Sequence, residues 1–323
     1  MGLDILLLLV GMSLLLGGGE LMVRGASSIA RHFGVSPLVI GLTVVAFGTS
    51  APELAVNLKA ALGGDPGISF GNITGSNLAN IGLIVGCAAL LRPLEIHANV
   101  IRREIPMMLV ATVAVLVMSL DTQLRDAASA SFDRPEGIIL LGLFGVFLFY
   151  TARDMIKARA QNGGTDSSVP GSSSEAIPLS IALTVIGIAG LVGGAEITVG
   201  SAKEIARAIG VPDFIISFTM IAIGTSLPEL VTAIVATRRG ATDLAVGNVV
   251  GSNIFNLLFV LATTSVIAPI ALPPDAWIDL VAVLVVSMML LPFSITARSR
   301  IVRWEGICLL IAYFGYVGWR ALS

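Results

Sequence analysis

Two six-residue stretches concentrate chemistry in an otherwise apolar chain: GTSAPE at 48–53 and GTSLPE at 224–229. Pro52 has no N–H to donate and its ring disturbs the carbonyl of Gly48. Pro228 stands in the same relation to Gly224. A helix interrupted there leaves carbonyl oxygens without partners, which is tolerated at membrane depth only against protein or a wet cavity. Thr49, Ser50, Thr225 and Ser226 add hydroxyl oxygens, and Glu53 and Glu229 add carboxylates. A charge near a bilayer centre costs on the order of a few kcal/mol and calls for a counter-charge. Neither Lys nor Arg occurs in the surrounding GLTVVAFGTSAPELAV or SFTMIAIGTSLPELVT. A bound cation or a proton is therefore the expected counter-charge.

The segments that follow carry more oxygen. Asn72, Ser76 and Asn80 recur every four residues and share one helix face, as do Asn248, Ser252 and Asn256. Gly71 with Gly75, and Gly247 with Gly251, give small-xxx-small ridges for close helix approach. Two broken, acid-bearing helices against two polar-faced ones would enclose an all-oxygen cage. Such a cage suits Ca2+, which accepts six to eight oxygens, and also Na+. Mg2+ suits it less because Mg2+ gives up water reluctantly. The lack of nearby Cys or His disfavours softer metals. Each motif alone has a plainer reading: a packing ridge, a hydroxyl bonded back to its own backbone, or a simple kink. Their joint duplication favours the cage.

The elements that must position these residues are membrane helices. Hydrophobic residues make up 55% of the 323 and charged residues 12%, against about 25% charged in a soluble domain. The mean hydropathy is +0.94. Apolar stretches of bilayer-spanning length fall near 3–30, 37–62, 69–91, 103–121, 136–156, 177–202, 212–237, 244–268, 276–297 and 304–322. The first 17 residues lack a basic start and a cleavage motif, so they read as a membrane helix and not a cleaved signal. Cys87 and Cys308 read as small packed residues, not a disulfide. Nothing matches a P-loop, HExxH or nucleic-acid signature.

The chain also repeats itself. Glu53 and Glu229, GNITGSN at 71–77 and GNVVGSN at 247–253, Glu20 and Glu196, and Pro93 and Pro269 all stand 176 positions apart. Later, EGII at 136 matches EGIC at 305 with an offset of 169. The expected organisation is an all-α membrane protein of ten transmembrane helices in two inverted-topology five-helix repeats. The repeats are 1–159, with its motif at 41–86, and 176–323, with its motif at 217–262, joined by a Gly/Ser-rich linker at 160–175. An odd helix number per repeat forces opposite orientations. Counting Lys and Arg by side gives thirteen on the side away from the N-terminus and six on the other. This places both termini outside. Glu20 is expected to pair with Arg24 one turn on, whereas Glu196 has Gly200 at the matching position.

On GTSAPE with GNITGSNLAN, and GTSLPE with GNVVGSNIFN, the chain resembles the prokaryotic sodium/calcium exchanger family of the cation/calcium antiporter superfamily. The resemblance covers the whole ten-helix layout, with no large regulatory loop. It implies a Ca2+ held by Glu53 and Glu229 with backbone oxygens of Thr49 and Thr225. It implies Na+ sites using the Ala46 and Ala222 carbonyls, Ser50, Ser226, Ser76, Ser252 and Asn80. Asn256 fills the position matching Asn80, where some prokaryotic relatives carry Asp, so two carboxylates stand here and not three. The resemblance also implies that the first and sixth helices slide across the other eight.

The resulting expectation is a non-enzymatic Na+/Ca2+ antiporter in a prokaryotic plasma (inner) membrane. It is monomeric, with no prosthetic group, and its partners are Ca2+, Na+ and lipid. Ca2+/H+ exchange, or K+-dependent Na+/Ca2+ exchange, is the alternative. A passive cation channel is more distant, because duplicated inverted halves suit alternating access. An intramembrane hydrolase using Glu53 and Glu229 as acid and base lacks a nucleophile motif or metal triad.

Overall fold

The computed structural model describes residues 2–63, 66–124, 130–162, 176–210 and 224–322. Eleven principal helices run through them: α1 Gly2–Phe33, α2 Pro37–Thr49, α3 Ala51–Leu62, α4 Ile68–Leu91, α5 Ile105–Met118, α6 Arg134–Asn162, α7 Ile177–Ala208, α8 Leu227–Arg238, α9 Thr242–Ile267, α10 Ala276–Ser299 and α11 Arg303–Leu322. Among the described residues six helices are long and apolar enough to cross a bilayer, and the bent pair α2–α3 makes a seventh. The all-α membrane architecture is as the sequence predicts, and each expected apolar stretch meets a helix. The ten-span layout is consistent with this set. Most of the linker, and the N-terminal half of the expected 212–237 helix, lie outside the described residues.

Burial sorts the helices. The apolar window of α9 is 94% buried and that of α4 is 78%, whereas α1 and α7 are each 28% buried. The helices bearing Asn and Ser are thus central, and the most uniformly apolar ones are peripheral. Leu3, Leu6, Leu16, Leu179, Val185 and Ile186 point outward from α1 and α7, as lipid-facing side chains do. The inner faces of this pair interlock through glycine. A Cβ on Gly18 would lie 2.7 Å from the Leu191 backbone nitrogen, and one on Gly187 would lie 2.4 Å from that of Met22. Only glycine permits so close an antiparallel crossing. Gly11–Gly194 is the mate of Gly18–Gly187 under the repeat offset.

Two short β-ladders tie the repeats together. β1 (Leu94–Glu95) pairs with β4 (Arg300–Ile301), and β2 (Ser131–Phe132) pairs with β3 (Ile270–Ala271). β1 and β3 are equivalent by the 176 offset, and β2 and β4 by the 169 offset, so the ladders are symmetry mates. Each joins an inter-helix loop of one repeat to a loop of the other. The sequence reading did not anticipate them.

One local expectation needs correction. Glu20 forms its ion pair with Arg239, beyond the end of α8, and not with Arg24. The i,i+4 rule considers only a helix's own neighbours, whereas α1 packs against α8, with Gly19 against Val231 and Val235. Cys87 and Cys308 are free thiols, as expected.

Candidate functional site

The proline motifs break their helices in the same way. The α2–α3 pair bends by 41° at Ser50, whose φ and ψ are −85° and 5°. Ser226, before α8, has −87° and 2°. In each case the proline lies in the first turn of the new helix, where a missing N–H costs nothing. Glu53 and Glu229 then fall in the first turns of α3 and α8. Those turns end in unbonded N–H groups, which favour negative charge.

Both glutamates are almost wholly buried, 1% and 0% exposed. Glu229 Oε1 accepts from Ser50 Oγ at 3.2 Å and Ser252 Oγ at 3.5 Å. Glu53 Oε1 accepts from Ser76 Oγ at 3.4 Å. Ser76 also meets Thr225 Oγ1 at 3.3 Å. Thr49 Oγ1 donates to Asn248 Oδ1 at 3.1 Å, and Thr225 Oγ1 to Asn72 Oδ1 at 3.2 Å. Four of these six bonds cross from one repeat to the other, so the two glutamates share a shell built by both halves.

This shell brings together Glu53, Glu229, Thr49, Thr225, Ser50, Ser76 and Ser252. Ser226, Asn80 and Asn256 adjoin it in the chain and are equally buried, at 4%, 1% and 0% exposed. The Ala46 carbonyl lies just before the break and accepts from its own helix, from Ser50 N at 3.0 Å and Thr49 Oγ1 at 3.5 Å. Ala222 lies outside the described residues. Asn72 and Asn248, which the sequence placed only on the polar face, hold the two threonine hydroxyls. Asn77 and Asn253, one residue past each serine and not singled out by the sequence reading, bond Asn256 and Asn80. They belong to the repeated GSN triplets, which was the signal available.

The buried groups left without partners bear on the chemistry. Glu53 Oε2, Glu229 Oε2, Asn80 Oδ1 and Asn256 Oδ1 are buried acceptors with no donor, and Ser226 Oγ also has no partner. No Lys, Arg or His pairs with either glutamate among the described residues. Native structures rarely leave such groups unsatisfied. The amide nitrogens of Asn72, Asn77 and Asn248 are also without partners, but two of the acceptors are carboxylate oxygens with no cationic side chain against them among the described residues, which fits a hard cation.

The sodium/calcium exchanger protein family matches at residues 3–153 and 179–322. The chain belongs to that family. It is 33% identical over 344 residues to the sodium/calcium exchanger MaX1 of Methanosarcina acetivorans, covering 97% of each chain. It is 39% identical over 277 residues to the inner membrane protein YrbG of Escherichia coli, covering 84% of this chain and 82% of that one. A solved structure of the sodium-calcium exchanger NCX_Mj, soaked with Na+ and Sr2+, superposes with a TM-score of 0.82 at 34% identity over 98% of both chains. Membership makes this an integral membrane protein of a cation antiporter family, and its relatives are transporters and not enzymes.

Proposed function

We propose that the chain is a secondary antiporter that exchanges Na+ for Ca2+ by alternating access. The supporting observation is the pair of buried glutamates, each with one oxygen bonded to hydroxyls and one left without a donor. In this reading Ca2+ binds between Glu53 and Glu229 with backbone oxygens of Thr49 and Thr225. Na+ uses Ser50, Ser226, Ser76, Ser252, Asn80, Asn256 and the carbonyls of Ala46 and Ala222. Two carboxylates balance one Ca2+. Three Na+ against the same pair leave one positive charge, so a three-for-one exchange moves charge. Both loads need the same glutamates and cannot be held together. Each load can therefore favour closed states that the empty, doubly charged site disfavours.

The five-helix repeats 1–159 and 176–323 serve as the two halves of the machine, joined by the 160–175 segment. Thirteen of nineteen Lys and Arg residues fall on the side we assign to the cytoplasm, leaving both termini outside. The identity with an inner membrane protein of Escherichia coli supports the same membrane for this chain.

Ca2+ uptake into proteoliposomes tests the reading, with an outward Na+ gradient compared against outward H+ and K+ gradients at clamped potential. Uptake driven by Na+ is expected. Uptake driven by H+ alone would retain the glutamates but overturn Na+ coupling. Flux that dissipates Ca2+ without any counter-gradient would make the protein a channel.

A further inference from the structure

We propose that Asn77 and Asn253 are positioning residues. Each turns the side-chain amide of the opposite repeat, Asn256 and Asn80, so that its oxygen and not its nitrogen faces the transported cation. The inference rests on the exchanger reading for the identity of the ions. Its geometry stands independently.

A carboxamide has an acceptor end and a donor end. Asn80 Nδ2 donates to Asn253 Oδ1 at 3.1 Å, and Asn256 Nδ2 donates to Asn77 Oδ1 at 3.1 Å. All four side chains are at most 1% exposed. With each nitrogen committed, the other end of the amide is oxygen, and these two oxygens are among the buried acceptors that no donor meets. Turning either amide over would set oxygen against oxygen inside the protein and aim two N–H groups at a cation. Turning both members of a pair would restore the bond, and at Asn253 the contact of Nδ2 with Met108 Sδ at 3.5 Å opposes that double turn.

The amides at Asn72 and Asn248 run the other way. Their oxygens accept from Thr225 and Thr49, and their nitrogens have no partner. The asparagine stripe thus holds two kinds of residue. One kind steadies a threonine hydroxyl, and the other offers an oxygen. What distinguishes them is the Asn77 and Asn253 contact.

The exchange is reciprocal. α4 carries Asn77 and Asn80, α9 carries Asn253 and Asn256, and each helix gives one oriented amide and one orienting amide. The hold is uneven, because Asn253 Nδ2 also reaches Met108 Sδ at 3.5 Å, whereas Leu284 stands at the matching position of the second repeat. The ligand oxygens are correctly aimed only while α4 and α9 lie in register.

The test uses the purified full chain in detergent, with equilibrium 45Ca2+ binding and its displacement by Na+. Asn253→Leu keeps the volume and removes the acceptor, and it is expected to raise the Na+ concentration for half-displacement about tenfold. Asn253→Asp keeps an acceptor oxygen and should stay within about threefold of wild type. In an Asn80→Ala background Asn253→Leu should add less than about twofold, because it acts through Asn80. If Asn253→Leu behaves as wild type, or its loss is fully additive with Asn80→Ala, the inference fails. Should Asn253→Leu not fold, as judged by size-exclusion elution, the mirror cycle of Asn77→Leu with Asn256→Ala decides under the same criteria. Wild type that binds 45Ca2+ but does not release it to Na+ overturns Na+ coupling alone, and the Ca2+ affinity then reads the same cycle.

Discussion

At the scale of single residues, the two glutamates lie where charge is most costly and are compensated only by hydroxyls and helix N-termini. Without a cation that compensation is incomplete. Glu53→Gln keeps the shape and removes the charge, so exchange should fall by about 100-fold or more, as when one member of a buried charge pair is lost. Cation-free thermal stability should stay level or rise, while stabilisation by added Ca2+ should disappear. Thermal unfolding with and without Ca2+, beside uptake assays, checks both halves. Wild-type exchange by the variant would remove Glu53 from the transport site. Much of this was legible in the sequence. An acid next to a proline, in a run without Lys or Arg and present twice, needs a positive partner wherever it folds. The direction of each amide was not legible. It is set by partners 173 and 179 positions away, and neither composition nor periodicity carries that information.

At the scale of helices, the positions that bring the site together are tight backbone crossings. A Cβ on Gly247 of α9 would sit 2.6 Å from the Leu38 carbonyl oxygen of α2. That neighbour is backbone and cannot move aside by a rotamer change. Gly247→Ala should therefore destabilise the fold by about 1–3 kcal/mol and weaken exchange as α2 and α9 move apart. Gly315→Ala on α11, where a Cβ meets nothing within 4 Å, serves as the neutral control. Melting of both variants in detergent measures the difference, and equal melting temperatures would refute the crossing as a constraint. The prolines, the glycine ridges and the apolar lengths made the helices readable in advance. Short π-helical turns were not foreseen. Two of them, Ala79–Val85 in α4 and Asn256–Val260 in α9, contain Asn80 and Asn256. Spacing by fours assumes an uninterrupted α-helix, so it located the polar face but not the wider turn at its end. Such turns are frequent at functional sites.

At the scale of the whole molecule, the ion pair of Glu20 with Arg239 joins the peripheral α1 to the end of α8. Its mate is missing: Glu196 is the counterpart of Glu20, but Gly63 stands where the offset would put a second arginine. Both partners of the existing pair are 40–49% exposed, so its worth is about 0–1 kcal/mol. Arg239→Ala should accordingly shift the ratio of Na+ affinities measured from the two membrane faces by no more than about fivefold. The swapped pair Glu20→Arg with Arg239→Glu should restore the wild-type ratio. Flux measured in oriented vesicles decides this, and an unchanged ratio in Arg239→Ala would show that the tie has no bias on transport. The sequence reading assigned Glu20 a local partner because it had no view of α8.

The two β-ladders carry a mechanical consequence. They fasten the loops around α4, α5, α6, α9, α10 and α11 at both ends of the bundle, and in the proposed mechanism those helices would serve as the frame. α1 and α7 lie outside it, crossing each other in a self-matching antiparallel pair. A pair that looks alike from either end has no built-in forward stroke. Apart from the small tilt given by Glu20 and Arg239, the proposed exchange should run as readily in one direction as in the other. Net flux would then be steered by the gradients and the membrane voltage, with no ratchet in the protein itself.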